Sequence, residues 1–322
     1  MKNVSAWGFC GIIGLVLACG TVGLAGQAPD VISAVRGAVA QGNFAAGERI
    51  VGEYRAAHGV TPELMEALSW LGRGALASKQ WEKAEDYATR TYELARAALK
   101  ARSVDQEPHL PIALGAAIEV QSHVSAALGA RSEAVLVLQR ELDTYMGTSL
   151  VKRIQKNINL LSLEGKAALP IDVSEYLGPK PLALAELRGK VVILFFWAHW
   201  CPDCKMQGPV LARLMAKYRP QGLSLVAPSQ RYGYAARGKP VTSDEELRYI
   251  RSVRDTSYRF LVDEPVPLSE ENHVRYGVST TPTLVLVDRA GVVRLYHPGR
   301  MTEEELEPIV RGLLADRQPT ER

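Results

Sequence analysis

Two cysteines separated by a proline and an aspartate are the residues of this sequence best suited to chemistry. Cys201 and Cys204 lie in the segment FFWAHWCPDCKMQGP, residues 195–209, whereas Cys10 and Cys19 lie near the start of the chain. A CxxC pair can exchange disulfides, supply half of a zinc site or pack as two small apolar side chains. The spacing alone leaves all three alternatives open.

Zinc binding and peroxide reduction fit this pair less well than disulfide exchange does. A structural zinc needs about four ligands, and the sequence has no second CxxC motif and no histidine at ligand spacing near the pair. A peroxiredoxin would carry a threonine three residues before its reactive cysteine, where this chain has Ala198. Two inert core cysteines would not need the flanking Trp200 and Pro202. We therefore expect a redox-active disulfide, Cys201–Cys204, with no metal and no other cofactor.

The elements that flank the pair would position Cys201 to attack a disulfide. The unbroken apolar run 191–196 predicts a strand covered on both faces, and the apolar spacing within 205–218 predicts a helix. Cys201 would then lie at the exposed start of the helix, where the partial positive charge of the N-terminus favours a thiolate. Cys204 would follow one turn later, close enough to resolve a mixed disulfide. Pro202 suits the first helical turn.

Residues 1–28 predict an export signal or a membrane or lipid anchor. Lys2 precedes an apolar run that ends in small residues, as in a cleavable signal. The segment Val16-Leu17-Ala18-Cys19 resembles a lipoprotein box, in which Cys19 would be lipidated. An uncleaved anchor is the other alternative, because the run approaches the roughly 20 apolar residues that span a bilayer. We expect a periplasmic or cell-envelope protein.

Residues 29–166 predict a domain made only of helices. Thr61 is a predicted N-cap, and Pro62 would occupy the first helical position. Three segments repeat loosely: AQGNFAAG at 40–47, ASKQWEKA at 77–84 and ALGARSEA at 127–134. Their small residues and aromatic positions resemble the second helix of tetratricopeptide repeats, although Arg131 replaces the aromatic in the third segment. We predict a tetratricopeptide-like array, with an unrelated helical bundle as the alternative.

Residues 167–316 predict an α/β domain, and residues 317–322 predict a tail. A connector rich in proline and glycine lies between Gly165 and Lys190, where the helical pattern gives way to strands. Further strands are predicted at 223–227, 283–288 and 292–297. Ser243–Glu246 and Thr302–Glu305 are typical of capping boxes that open two more helices. Asp288–Gly291 is typical of a hairpin turn.

Two distant segments of this α/β region resemble the thioredoxins. The first is the strand with FWAHWCPDC, followed by Pro209 in the next helix. Gly-Lys-Val-Val before the strand, together with the export signal, narrows the resemblance to TlpA/ResA-type thiol–disulfide oxidoreductases. The second segment is GVSTTPT, residues 277–283. The resemblance spans about residues 169–314 and implies a thioredoxin-like fold with a central mixed sheet flanked by helices.

The same resemblance implies a substrate groove beside the disulfide. Pro282 would be a cis-proline that faces the pair, and Thr281 would offer backbone groups to an extended substrate segment. Trp200 and Pro202 would border the groove.

Two features depart from the thioredoxin pattern. Phe195 stands where thioredoxins have a buried aspartate, so the proton acceptor for the resolving cysteine would be water or Asp203. The stretch 229–256 is longer than a plain thioredoxin connection. Its part RYGYAARGKP, residues 231–240, is either a specificity loop or a tolerated surface insertion. His199 is interpreted as an exposed, variable position.

These observations predict an exported thiol–disulfide oxidoreductase that acts on protein disulfides. The resemblance to the TlpA/ResA-type proteins implies a reductant that receives electrons from a membrane donor. The net charge of +3 and the lack of a Lys/Arg block argue against a nucleic-acid partner. The helical domain would bind a protein partner. The alternative is a helical-repeat binding scaffold with a vestigial thioredoxin-like domain, against which the intact CPDC motif argues.

Overall fold

Within residues 30–316, which the computed structural model describes, seven α-helices precede the first strand. They are α1 (Val31–Ala40), α2 (Phe44–His58), α3 (Pro62–Ala77), α4 (Trp81–Ala98), α5 (His109–Ala127), α6 (Arg131–Thr144) and α7 (Val151–Ser162). Thr61 caps α3 by accepting the N–H of Leu64 at 3.3 Å, and Pro62 follows at the first helical position. The prediction of an all-helical N-terminal region is confirmed.

The first six helices pair as three hairpins, each closed by a three-residue turn. The middle residue of each turn has a positive φ: Gly42 at 69°, Lys79 at 56° and Gly129 at 98°. The turns fall inside the three repeated segments of the sequence. The small residue that each segment places in its second helix is buried: Gly47, Ala84 and Ala134. The repeated segments therefore mark the points where paired helices approach each other.

A mixed four-stranded sheet and its helices form the second half of the chain. The elements are β1 (Tyr176–Leu177), β2 (Val191–Phe196), α8 (Pro202–Tyr218), β3 (Leu223–Val226), α9 (Ser243–Ser257), β4 (Val266–Pro267), α10 (Glu270–Arg275), β5 (Thr283–Val287), β6 (Val293–Pro298) and α11 (Glu303–Ala315). The sheet order is β3-β2-β5-β6, with β2 parallel to β3 and antiparallel to β5. Strands β1 and β4 form a separate antiparallel pair. The four predicted strands and the predicted mixed sheet are confirmed.

Strand β2 lies inside the sheet and buries both of its faces. All of its residues are buried, as the unbroken apolar run predicts. Alternate residues such as Ile193 and Phe195 join the core under α8 and α11. Leu194 and Phe196 join a second core on the opposite face. The strand therefore ends in a fixed position, directly before the CPDC turn.

Helix α7 packs in the helical part and also covers the second face of the sheet. Leu163, just after α7, belongs to the second core, and the N–H of Gly165 donates to the carbonyl of Val293 at 2.8 Å. A Cβ atom on Gly277 would lie 2.2 Å from the backbone nitrogen of Lys156 in α7, so only glycine permits this contact. Other buried residues of α7 lie in the core of the helical part: Ile154, Ile158 and Leu161.

One predicted helix start is displaced by one residue. The N-cap of α9 is Thr242, which forms a capping box with Glu245, so the box predicted at Ser243–Glu246 is wrong. Glu246 is instead 1% exposed. The box predicted for α11 is present, and the turn 288–291 closes with a 3.0 Å hydrogen bond between its backbone ends.

The predicted export or anchor segment, residues 1–28 with Cys19, and the predicted tail, residues 317–322, lie outside the described residues. Between residues 30 and 316, no helix has both the length and the apolar character that a bilayer-spanning segment needs.

Candidate active site

Cys201 and Cys204 form a disulfide at the N-terminus of α8, with their Cα atoms 5.3 Å apart. Cys201 is the N-cap residue, and the backbone N–H of Cys204 donates to its Sγ at 3.0 Å. Once the pair is reduced, a sulfur that accepts this bond at the positive end of a helix is stabilised as a thiolate. The arrangement is therefore suited to thiol–disulfide exchange.

Cys201 is less accessible than its place at a helix start suggests. Its exposed fraction is 2%, and that of Cys204 is 0%. The expectation of an exposed Cys201 is wrong because the loop before β5 covers it, with the carbonyl oxygen of Thr281 lying 3.4 Å from Sγ. The neighbours Trp200 and Pro202 are exposed. A substrate sulfur would therefore approach the pair from the side of these two residues.

The Thr281–Pro282 peptide bond is cis, and its loop lies against the disulfide. Pro282 is buried, and its carbonyl oxygen accepts the N–H of Gly299 at 2.8 Å. Strand β5 pairs with β2 so that Thr283 lies opposite Phe196. The loop before β5 and the turn after β2 consequently meet at one end of the sheet, which brings the two segments of the sequence resemblance together.

The two tryptophans beside the pair have different environments. Trp197 is fully buried, and its Nε1–H donates to the carbonyl of Ala227 at 3.1 Å. Trp200 is 45% exposed, and its ring meets Tyr232 edge-on with centroids 5.5 Å apart. Trp197 therefore packs in the core, whereas Trp200 lies on the surface beside Cys201.

His199 is buried rather than exposed, so its interpretation as a variable surface position is wrong. Its Nε2 lies 3.0 Å from Oε1 of Glu246, and its exposed fraction is 0%. Burial lowers the pKa of His199, and the hydrogen bond and charge of Glu246 offset this effect only in part. The imidazole is therefore neutral near pH 7 and donates Nε2–H to the carboxylate. Sequence reasoning missed the pair because it assigned Glu246 to a capping box.

The thioredoxin aspartate has no counterpart at its usual position. Phe195 is fully buried there. Asp203 is exposed and pairs with Arg300 at 3.4 Å. Gln207, one turn after the CPDC motif, is buried and accepts the N–H of Met301 at 2.9 Å. Asp203 thus faces solvent, while Gln207 fixes the loop that follows β6.

Metal-binding groups do not converge in the part of the chain that the structure describes. Between residues 30 and 316, no three His, Cys, Asp or Glu side chains are close enough together to hold an ion. At the CPDC turn, the two side chains suited to redox chemistry are the sulfurs of Cys201 and Cys204. A dithiol at a helix end, beside a loop that carries a cis-proline, defines a class: the thioredoxin-like thiol–disulfide oxidoreductases.

Comparison with known proteins supports this class. The AhpC/TSA family model matches residues 165–296. The thioredoxin-like protein YneN of Bacillus subtilis is 28% identical over 144 residues, which are 45% of this chain and 76% of YneN. The thiol-disulfide oxidoreductase ResA of Bacillus thuringiensis strain Al Hakam is 30% identical over 152 residues, which are 46% of this chain and 78% of that protein.

The chain belongs to the ResA-type family of thioredoxin-like thiol–disulfide oxidoreductases. Among solved structures, a thioredoxin-family thiol:disulfide interchange protein from Chlorobium tepidum TLS covers 46% of this chain and 99% of its own, with 22% identity and a TM-score of 0.35. Each of the two sequence relatives matches less than half of the chain. The family assignment therefore describes the α/β part.

Proposed function

We propose that this protein reduces disulfides in exported proteins, with Cys201 as the nucleophile and Cys204 as the resolving cysteine. The observation that carries the proposal is the 3.0 Å hydrogen bond from the N–H of Cys204 to Sγ of Cys201 at the start of α8. This bond and the helix end favour negative charge on one sulfur of the pair, and that sulfur is the better attacking group at neutral pH.

The exchange proceeds in two steps that transfer two electrons. The Cys201 thiolate attacks one sulfur of the substrate disulfide, whose S–S bond breaks as a mixed disulfide forms and the first substrate thiolate leaves. Deprotonated Cys204 then attacks Sγ of Cys201 and displaces the second substrate thiolate. The substrate takes up two protons and two electrons, and the protein is left with the Cys201–Cys204 disulfide. A reduced dithiol on another protein must return the two electrons.

The substrate would lie in a groove between the CPDC turn and the loop before β5. Trp200 and Pro202 are exposed on one side, and Thr281 is partly exposed on the other. The backbone of Thr281 would pair with an extended substrate segment above the buried Pro282. This placement would bring a substrate sulfur to Cys201 without any other cofactor.

We place the reaction outside the cytoplasm on the basis of the N-terminal sequence. Lys2 and the apolar run support export, and Cys19 supports attachment through lipid as one mode. A membrane protein with a reduced dithiol would be a suitable electron donor for such a location.

The helical part would recruit a protein partner, either a substrate or the electron donor. Its three hairpins with buried small residues support a tetratricopeptide-like array. A groove of about 740 Å³ runs between α4 and α5, with Trp81 and Leu128 beside the carboxylates of Glu82, Glu85 and Asp86. A basic segment with an apolar residue would complement this surface.

Trapping of covalent complexes tests the proposed roles. Cys204→Ser should accumulate mixed disulfides, at least about tenfold more than Cys201→Ser, because only the Cys204 thiolate releases the link quickly. Non-reducing gels and mass spectrometry measure the complexes, which excess dithiol should remove. Equal trapping by both variants would overturn the assigned roles. Absence of trapping, with no redox change of the wild-type pair between about −270 and −120 mV, would favour the binding-scaffold alternative.

A further inference from the structure

Ten residues beside the active site have no part in the chemistry proposed above. Residues 231–240, called the tyrosine loop below, lie between β3 and α9 and have the sequence RYGYAARGKP. Residues 236–240 are exposed. The first half of the loop, by contrast, makes specific contacts with the turn that carries the disulfide.

His199 lies at the centre of a cluster of tyrosine rings from the tyrosine loop and from α9. The rings of Tyr232, Tyr234 and Tyr249 meet its imidazole edge-on, with centroid distances of 5.6, 5.6 and 5.3 Å. Edge-on contacts of this kind are favoured between aromatic rings because the positive edge of one ring meets the negative face of another. A residue of the active-site turn is thus packed directly against the loop.

Glu246 joins the same cluster to the backbone of the tyrosine loop. Its Oε1 accepts the N–H of Tyr232 at 2.6 Å and Nε2–H of His199 at 3.0 Å, and its Oε2 accepts the N–H of Gly233 at 2.9 Å. Both side chains of the His199–Glu246 pair are almost completely buried. Loss of either partner would leave buried polar groups without hydrogen bonds. The carboxylate therefore ties the loop to a residue two positions before Cys201.

The tyrosine loop also contacts the exposed tryptophan beside the disulfide. The ring of Tyr232 meets the indole of Trp200 at 82° with centroids 5.5 Å apart. Trp200 directly precedes Cys201 in the chain, and 45% of its surface is exposed. The position of the loop therefore decides how the indole is presented to a substrate.

We propose that His199 is a positioning residue that, with Glu246, holds the tyrosine loop against Trp200, and that this loop makes the site select protein disulfides over small ones. The inference rests on the proposed disulfide exchange. A protein substrate presents main chain and side chains around its disulfide, which would contact both Trp200 and the loop. A small disulfide presents no such surface, so the loop would not strengthen its binding.

Four substitutions separate this role from a general effect on stability. His199→Leu removes the hydrogen-bond donor, whereas His199→Gln keeps an N–H group that can reach Glu246. Glu246→Gln removes the buried negative charge. Asp244→Asn is its matched control, because it removes a neighbouring, exposed charge on the same helix.

Steady-state kinetics of the full chain should show a selective loss. With His199→Leu and Glu246→Gln, we expect KM for insulin to rise roughly tenfold, while KM for bis(2-hydroxyethyl) disulfide rises less than about threefold. His199→Gln should recover most of the loss, and Asp244→Asn should match the wild type. Trypsin should cleave after the exposed Arg237 faster in the two impaired variants, because the loop is released.

The proposal would be overturned if His199→Leu left both the KM for insulin and the rate of trypsin cleavage at their wild-type values. Equal losses with both disulfides, a lowered melting temperature and no recovery in His199→Gln would also overturn it, because His199 would then act only on stability. If the wild type exchanges neither disulfide, the proposed function itself fails, and the trypsin rates distinguish that result from a failure of the loop contacts.

Discussion

The two sulfurs of the CPDC pair have unequal surroundings. Cys201 accepts a backbone N–H, lies 3.4 Å from the carbonyl of Thr281 and retains a little exposed surface. Cys204 is completely buried one turn inside α8. The reduced pair should therefore react through one sulfur first.

Alkylation rates should reveal this inequality without any protein substrate. At pH 7 we expect iodoacetamide to modify Cys201 of the reduced protein at least about tenfold faster than Cys204, because thiolate character and access both favour it. Peptide mass spectrometry after timed quenching measures the two rates. Cys204→Ser is the control and should keep the rate of Cys201. Faster modification of Cys204 would contradict the assigned order of attack.

Helices α5 and α7 are joined by a partly buried carboxylate. Glu119 accepts Nε–H of Arg153 at 3.1 Å and Nζ–H of Lys156 at 2.9 Å. Burial by itself raises the pKa of Glu119, but the two cations outweigh it and lower the pKa to about 2. The folded state therefore favours the ionised form more than the unfolded state does.

Acid should weaken this link between the two helices. Because the folded pKa of Glu119 is depressed from 4.5 to about 2, its stabilisation is complete above about pH 4.5 and is lost as the pH falls towards 2. This contribution of the ionised Glu119 to the free energy of unfolding is on the order of 3 kcal/mol. Urea unfolding followed by circular dichroism should show Glu119→Gln less stable than the wild type at pH 6 and closer to it at pH 3. The exposed Glu82→Gln is the control, and an equal pH effect in both variants would refute the assignment.

The α/β part and the helical part are held together through α7. Lys152 donates to Glu270 at 2.9 Å and to Gln230 at 3.2 Å, across the two parts of the chain. The close backbone contact at Gly277 lies next to these bonds on the same helix and directly before the loop of Pro282. Docking of α7 should therefore affect both overall stability and the active-site loop.

Adding one methyl group at this contact should weaken the packing of α7 against the α/β part and lower the stability of the protein. Gly277→Ala places Cβ 2.2 Å from the backbone of α7, whereas Gly189→Ala has a similar positive φ and no atom within 4 Å. We expect the control to cost about 1–2 kcal/mol from backbone strain and Gly277→Ala to cost at least about 2 kcal/mol more. Urea unfolding measures both costs. Equal costs in the two variants would show that α7 accommodates the added methyl group without any further loss of stability.

The predicted location of the protein depends on its first residues. Lys2 and the apolar run predict a chain found outside the cytoplasm, and the box before Cys19 predicts that Cys19→Ala releases it from the membrane fraction. Cell fractionation with N-terminal sequencing checks both points. A soluble cytoplasmic protein with Met1 intact would refute export. Membrane association that persists in Cys19→Ala would favour the uncleaved anchor.

Much of the fold could be predicted from short-range pattern. The apolar run 191–196 became β2, and the turn 288–291 joins β5 to β6, because burial on two faces and turn chemistry each leave a local signature. The CPDC spacing predicted a sulfur at a helix start because a proline suits the first turn. These features depend on neighbours in the sequence and can be recognised there.

Only the tertiary structure decided which polar residues are buried and which helix packs into two hydrophobic cores. His199 and Glu246 are separated by 47 positions in the chain, and neither shows a local signature of burial. The role of α7 likewise depends on Gly277, which lies far along the chain and whose missing side chain permits the contact. Burial and close approach are properties of the assembled surfaces, so they become visible only when distant segments are brought together.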